Sequence, residues 1–183
     1  MNTSAIRVLK PNVNQNDALR AFSAPGLSAL YWRARRGPLQ HIADVYVPYR
    51  IYHVSYEVRG SKYARIFALD AVEGSLDVFA FPHVPRDEDL ITLDTRNRLA
   101  SSLDSSRAAA LLYEKVLRVI FQQGFFKLSE PKLQLSPEPT EVHVPYWLAF
   151  YGRRVLRCRV LDAVRRRIEG AKASAFFEQW LAA

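Results

Sequence analysis

The chain has 183 residues, a net charge of +8, 49% hydrophobic and 24% charged residues, a composition of single-domain size that excludes a disordered chain. No run approaches the roughly 18 apolar residues of a membrane span, and the start MNTSAIRVLKPNVNQ has no apolar signal-peptide core; a soluble cytoplasmic protein without membrane association is expected. The single cysteine, Cys158, excludes an internal disulfide and a cysteine-rich metal site.

In chain order, AIRVL predicts a strand, NDALRAF a short helix, and SAPGLSALYWRARRG a helix with Leu27, Leu30, Tyr31 and Ala34 on one face and Gly37 as its stop. The stretch DVYVPYRIYHVSYEVRGSKYARIFALDAVEG then places β-branched and aromatic residues on both sides of Gly60, which predicts a hairpin. FPHVPRDEDLITLDTRNRLASS, with two prolines and an acidic cluster, reads as a connection. SSLDSSRAAALLYEKVLRVIFQQG follows, with Ala109, Leu112, Tyr113, Val116 and Ile120 on one face, and predicts an amphipathic helix. FFKLSEPKLQL reads as a strand with Pro131 at an edge or bend. A second hairpin follows in EVHVPYWLAFYGRRVLRCRVLDAVRRRIEG. A closing helix has Ala173, Phe176, Phe177, Trp180 and Leu181 at helical spacing, with Phe176 and Trp180 expected inside.

The two hairpin stretches share their order of landmarks. Pro48 and Tyr49 match Pro145 and Tyr146, Gly60 matches Gly152, and Leu69-Asp70-Ala71-Val72 matches Leu161-Asp162-Ala163-Val164. Repeated order implies repeated supersecondary structure. The expected fold is α+β, with two pseudo-symmetric halves, each a helix plus an antiparallel hairpin, packed as one body. Residues 1–84 would form the first half, 85–101 a connector and 102–183 the second half.

A helix followed by strands, the last closing in Leu69–Gly74 as LDAVEG and echoed by Leu161–Val164, is similar to the PepSY-like pattern, in which a strand ends in Asp, Ala and a turn glycine. The second copy departs from it, because Arg166 stands where the turn glycine would be. That resemblance implies a protein that modulates partner proteins, in a family that is mostly extracytoplasmic.

No local catalytic signature is present. His41, His53, His83 and His143 lack the close spacing of metal ligands, and the seven glycines form no phosphate loop, nucleophile elbow or dinucleotide fingerprint. No cofactor, metal or catalytic residue is therefore assigned. Asp70 and Asp162 invite an acid/base reading, but a strand-end aspartate more often binds the backbone N–H groups of its own turn. Cys158 alternates with Arg157 and Arg159 and reads as a small core residue.

Two functional readings remain open. The first is a non-enzymatic protein-interaction or regulatory module, binding a protein partner or a second copy through Tyr46, Tyr52, Tyr56, Trp147 and Tyr151, because Tyr and Trp bury area while keeping a polar handle. The second is nucleic-acid or other polyanion binding. Arginine makes up 20 of the 26 basic residues, and Arg153, Arg154, Arg157, Arg159, Arg165, Arg166 and Arg167 fall within sixteen positions that hold one aspartate. The first reading ranks slightly ahead, since the duplicated aromatic hairpin accounts for more residues.

Overall fold

The computed structural model describes residues 4–23, 30, 34, 37–58, 60–122, 132–152 and 157–182. The fold is α+β. Its strands are β1 (Ser4–Leu9), β2 (Leu39–Val58), β3 (Ser61–Asp70), β4 (Phe79–Phe81), β5 (Leu90–Thr95), β6 (Leu133–Tyr151), β7 (Arg157–Asp162) and β8 (Arg167–Ile168). Its helices are α1 (Gln15–Ser23), α2 (Ser105–Gln122) and α3 (Ala171–Ala182). The helix expected from SAPGLSALYWRARRG falls largely outside the described residues, as does the first part of the strand expected at FFKLSEPKLQL, whose last residues open β6.

By contact the chain divides into two compact units, Met1–Val47 with Leu90–Leu99 and His143–Ala183, and Pro48–Asp89 with Ala100–Val142. This division does not follow the sequence boundaries at 84 and 102. β2 and β6, at 20 and 19 residues, are far longer than ordinary strands, and each runs through both units.

In the second unit the strand order is β4-β3-β2-β6. β2 and β3 form the first predicted hairpin, in register from Tyr49 opposite Asp70 to Val58 opposite Ser61, and Gly60 takes the positive φ of 77° that the turn demands. Period-2 alternation sends Tyr52, Val54 and Tyr56 to one face. There, with Phe67 and Leu69, they pack under the stripe Ala108, Leu112, Val116 and Ile120 of α2. Burial of Leu112, Val116 and Ile120 contributes about 1.5–3 kcal/mol each. On the other face Tyr49 meets Phe79 edge-on at 5.3 Å between ring centroids.

In the first unit β6 and β7 form the second hairpin, in register from Tyr146 opposite Asp162 to Tyr151 opposite Arg157, and β8 pairs with the end of β7. β1 meets β6 in parallel at Val8 and His143 and pairs with β5 along its whole length. Val13, with Ala18 and Phe22 of α1, packs on Ala149, Tyr151, Leu161 and Ala163. Helix α3 covers the alternate face, with Phe177 stacked at a tilt 5.5 Å from Tyr146.

Three expectations are corrected. First, the helices are exchanged relative to the sequence halves. Helix α2 precedes the β6–β7 hairpin but packs on β2–β3, while α1 precedes β2–β3 but packs on β6–β7. Second, the segment 85–101 read as a connector contains β5, a six-residue run set between charges; it pairs with β1 from Ser4 opposite Thr95 to Leu9 opposite Leu90. Third, Trp180 is 37% exposed, because the buried face of α3 is Ala173, Phe176 and Phe177 and does not extend into the last turn.

Candidate functional site

Each hairpin ends in a turn built around a fully buried aspartate. The carbonyl of Pro48 accepts the N–H of Ala71 at 2.8 Å, and the carbonyl of Pro145 accepts that of Ala163 at 3.1 Å. Proline lacks an N–H but keeps its carbonyl, so each proline anchors the chain just past the aspartate of the partner strand. Asp70 Oδ1 accepts the N–H groups of Glu73 at 3.0 Å and Gly74 at 2.8 Å, and its Oδ2 accepts that of Leu76 at 2.8 Å. Asp162 Oδ1 accepts from Val164 at 2.9 Å and Arg165 at 2.8 Å. Burial pushes the Asp162 carboxyl above the ordinary carboxylate value, against the two N–H bonds and the Arg165 guanidinium, which favour its charged form. Both carboxylates hold their own turns, which favours the capping role over acid/base chemistry.

The segments before α1 and α2 dock on these turns alike. Ala163 O accepts the N–H of Asn12, and Ala71 O accepts that of Ser102, 90 residues further on. The side chains repeat the pattern, with Asn12 Nδ2 donating to Val164 O and Ser102 Oγ to Val72 O. Two residues later each helix is N-capped. Asn14 Oδ1 accepts the Asp17 N–H and Asp104 Oδ1 the Arg107 N–H, both at 2.9 Å. The match of Asn12 with Ser102 and of Asn14 with Asp104 is not legible in the sequence, because amide and hydroxyl or carboxylate look unlike until their backbone partners are known.

Of the arginines proposed for anion binding, Arg153 and Arg154 lie outside the described residues. Arg157 donates to Glu178 at 2.7 Å, and Arg159 is buried at 8% exposure. Arg165 Nε lies 3.9 Å from Asp162, and Arg167 forks onto Glu169 at 2.9–3.1 Å. Arg166 is exposed at the turn tip with a left-handed φ of 56°. Among the described residues the run supplies few guanidiniums that are both exposed and without a nearby carboxylate, which counts against a phosphate surface built from them.

The aromatic residues expected at a partner surface sit inside. Tyr46, Tyr52, Tyr56 and Tyr151 are buried, and half-buried Trp147 donates its indole N–H to Val13 O at 3.1 Å. Helix α2 covers Tyr52 and Tyr56, α1 packs with Tyr151 and Trp147, and Tyr46 packs with Ile6, Val8 and Leu93. Tyr46 OH donates to Asp44 at 2.7 Å, and burial reinforced by that carboxylate raises its phenol. Burial likewise raises Tyr52, opposed by the Arg50 charge. Asn97 Nδ2 donates to the other Asp44 oxygen at 3.0 Å, while its backbone carbonyl accepts the Tyr46 N–H.

Cys158 is buried, and desolvation plus the neighbouring Glu178 charge push its thiol up to about 12, far from a nucleophilic thiolate. Among the described residues no group of three or more His, Cys, Asp or Glu is placed to hold a metal ion, and no helix is long and apolar enough to cross a membrane. Comparison with protein-family models, curated proteins and solved structures gives no match.

Proposed function

We propose that the chain is a non-enzymatic protein-interaction module made of two pseudo-symmetric copies of one unit, each a docking segment, a capped helix and a proline-anchored hairpin, with the helices exchanged between copies. The observation that carries this reading is the paired set of anchors: Pro48 with Ala71 and Pro145 with Ala163, Ser102 on Ala71 and Asn12 on Ala163. What recurs is scaffold. The groups best suited to chemistry, Asp70, Asp162 and Cys158, are committed to turns or core, so what remains for other molecules is exposed strand edge and loop. The partner-modulating role implied by the PepSY-like resemblance of the LDAV turns fits this use.

The competing reading is polyanion binding at the β7–β8 turn, favoured by the exposure of Arg166 and Arg167. Fluorescence anisotropy with a labelled oligonucleotide at about 50 and 200 mM salt separates the two, because phosphate contacts release counterions and weaken steeply over that range. The interaction module predicts no binding at the lower salt. Salt-sensitive binding lost in an Arg166→Gln/Arg167→Gln variant would replace it with the polyanion reading.

A further inference from the structure

We propose that β5 is a self-association edge, through which two copies of the chain pair antiparallel along Leu90–Thr95; the proposal rests on the interaction-module reading. Among the described residues β5 pairs with β1 alone, so alternate β5 residues turn their N–H and C=O groups outward, unused. The other terminal strands make poorer templates. β4 has three residues and β8 two. Pro137 and Pro139, two apart in β6, remove two N–H donors from one edge of that strand. β5 has six residues and no proline, and it carries Ile91 at 38% exposure beside exposed Thr92. Unprotected edges of this kind are where chains add strands to one another.

The choice of a second copy as occupant comes from charge. Asp87, Glu88 and Asp89 immediately precede β5, and Arg96 and Arg98 immediately follow it. An antiparallel pair related by a two-fold axis at Thr92 carries the acidic end of each copy to the basic end of the other. It also sets Ile91 of one copy opposite Leu93 of the other, twice, on a single face. A parallel pair would instead bring like charges together at both ends. Exposed ion pairs are individually weak, so the charges select orientation and register while backbone hydrogen bonds and the Ile91–Leu93 contacts hold the pair.

The test is light scattering over a concentration series with charge-swapped variants. The wild-type chain is expected to rise from 21.0 kDa to twice that mass. Arg96→Glu/Arg98→Glu and Asp87→Lys/Glu88→Lys, each confirmed folded by near-ultraviolet circular dichroism, are expected to stay monomeric alone and to restore the doubled mass when mixed in equal amounts. A wild type that remains monomeric at every concentration overturns the proposal, as does a dimer unaffected by either swap or a mixture that does not re-associate. These failures leave the interaction module standing if the oligonucleotide titration is blank, whereas salt-sensitive oligonucleotide binding removes that reading itself.

Discussion

The turn after β3 and the turn after β7 solve the same backbone problem with different residues. Both begin at a buried aspartate and both contain a left-handed residue, Gly74 at φ 68° in one and Arg166 at φ 56° in the other. At Gly74 an added Cβ would lie 2.6 Å from Leu111 Cδ1 and 3.3 Å from Leu103 Cδ2, so the packing of α2 over this turn favours glycine there. Arg166 is exposed, and its turn accommodates a side chain at the cost of about 1–2 kcal/mol of left-handed strain. The fourth residue after the aspartate is left-handed in both turns, so glycine in one and arginine in the other reflects what covers that position. Asp70, with three N–H partners, also holds a longer turn than Asp162 does with two.

The largest expected effect tests the exchange of helices, which distinguishes the two units most sharply. Leu112→Ala removes a side chain with no exposed surface from the α2 stripe and should destabilise by about 2–5 kcal/mol. Its position makes a second outcome more telling. Hydrogen exchange should accelerate first in the amides of β2 and β3 and at the Leu133 and Leu135 end of β6, all packed with α2, and not in the paired stretches 146–151 and 157–162 of the second hairpin. Preferential loss of protection in those paired stretches would mean that α2 covers the hairpin of its own half.

A smaller pair of effects sharpens the contrast between the turns. Gly74→Ala should cost about 1–2 kcal/mol, from left-handed strain and the displacement of Leu111. Arg166→Gly should be nearly neutral or stabilising, by about 0.5 kcal/mol, because relieved strain is partly offset by the greater freedom of glycine in the unfolded chain. Chemical denaturation of both variants reads the difference. Equal and same-signed changes would show that the two turns are not equivalent positions in different surroundings.

Much of this arrangement was legible in the sequence. The repeated VPY, glycine and LDAV landmarks located both hairpins, and period 3.6 located Leu112, Val116 and Ile120 on the buried stripe of α2. The exchange was not legible, because an amphipathic stripe states that a helix must bury a face without stating which sheet receives it, and neighbours in sequence are neighbours in space only about two-thirds of the time. β5 is not legible in the sequence, because Leu90-Ile91-Thr92-Leu93 is short and lies between three acidic residues and two arginines, which mask its strand character. The interior placement of Tyr52, Tyr56 and Tyr151 depends on those same helices, which decide whether an aromatic strand face is core or surface.

The smallest effect concerns two aspartates that respond oppositely to acid. Asp104 caps α2, and the Arg107 N–H, then the Ser106 hydroxyl, hold its carboxyl below the ordinary value. Its stabilisation is present above the unfolded value and lost as pH falls through the folded one. Asp162 has the reverse sign. Burial raises its folded value, so the native chain holds that proton more tightly than the unfolded chain, and stability falls as pH rises from the ordinary carboxylate value through the raised one. Asparagine at 104 can still accept the cap hydrogen bond but cannot titrate. Urea melts between about pH 3 and 6, the range over which shifted carboxylates express themselves, should therefore show Asp104→Asn reducing the rise of stability with pH. Asp162→Asn should steepen that rise, since it removes a contribution of opposite slope. Slopes that move in the same direction would mean that Asp162 is not held by a desolvated turn as its geometry requires.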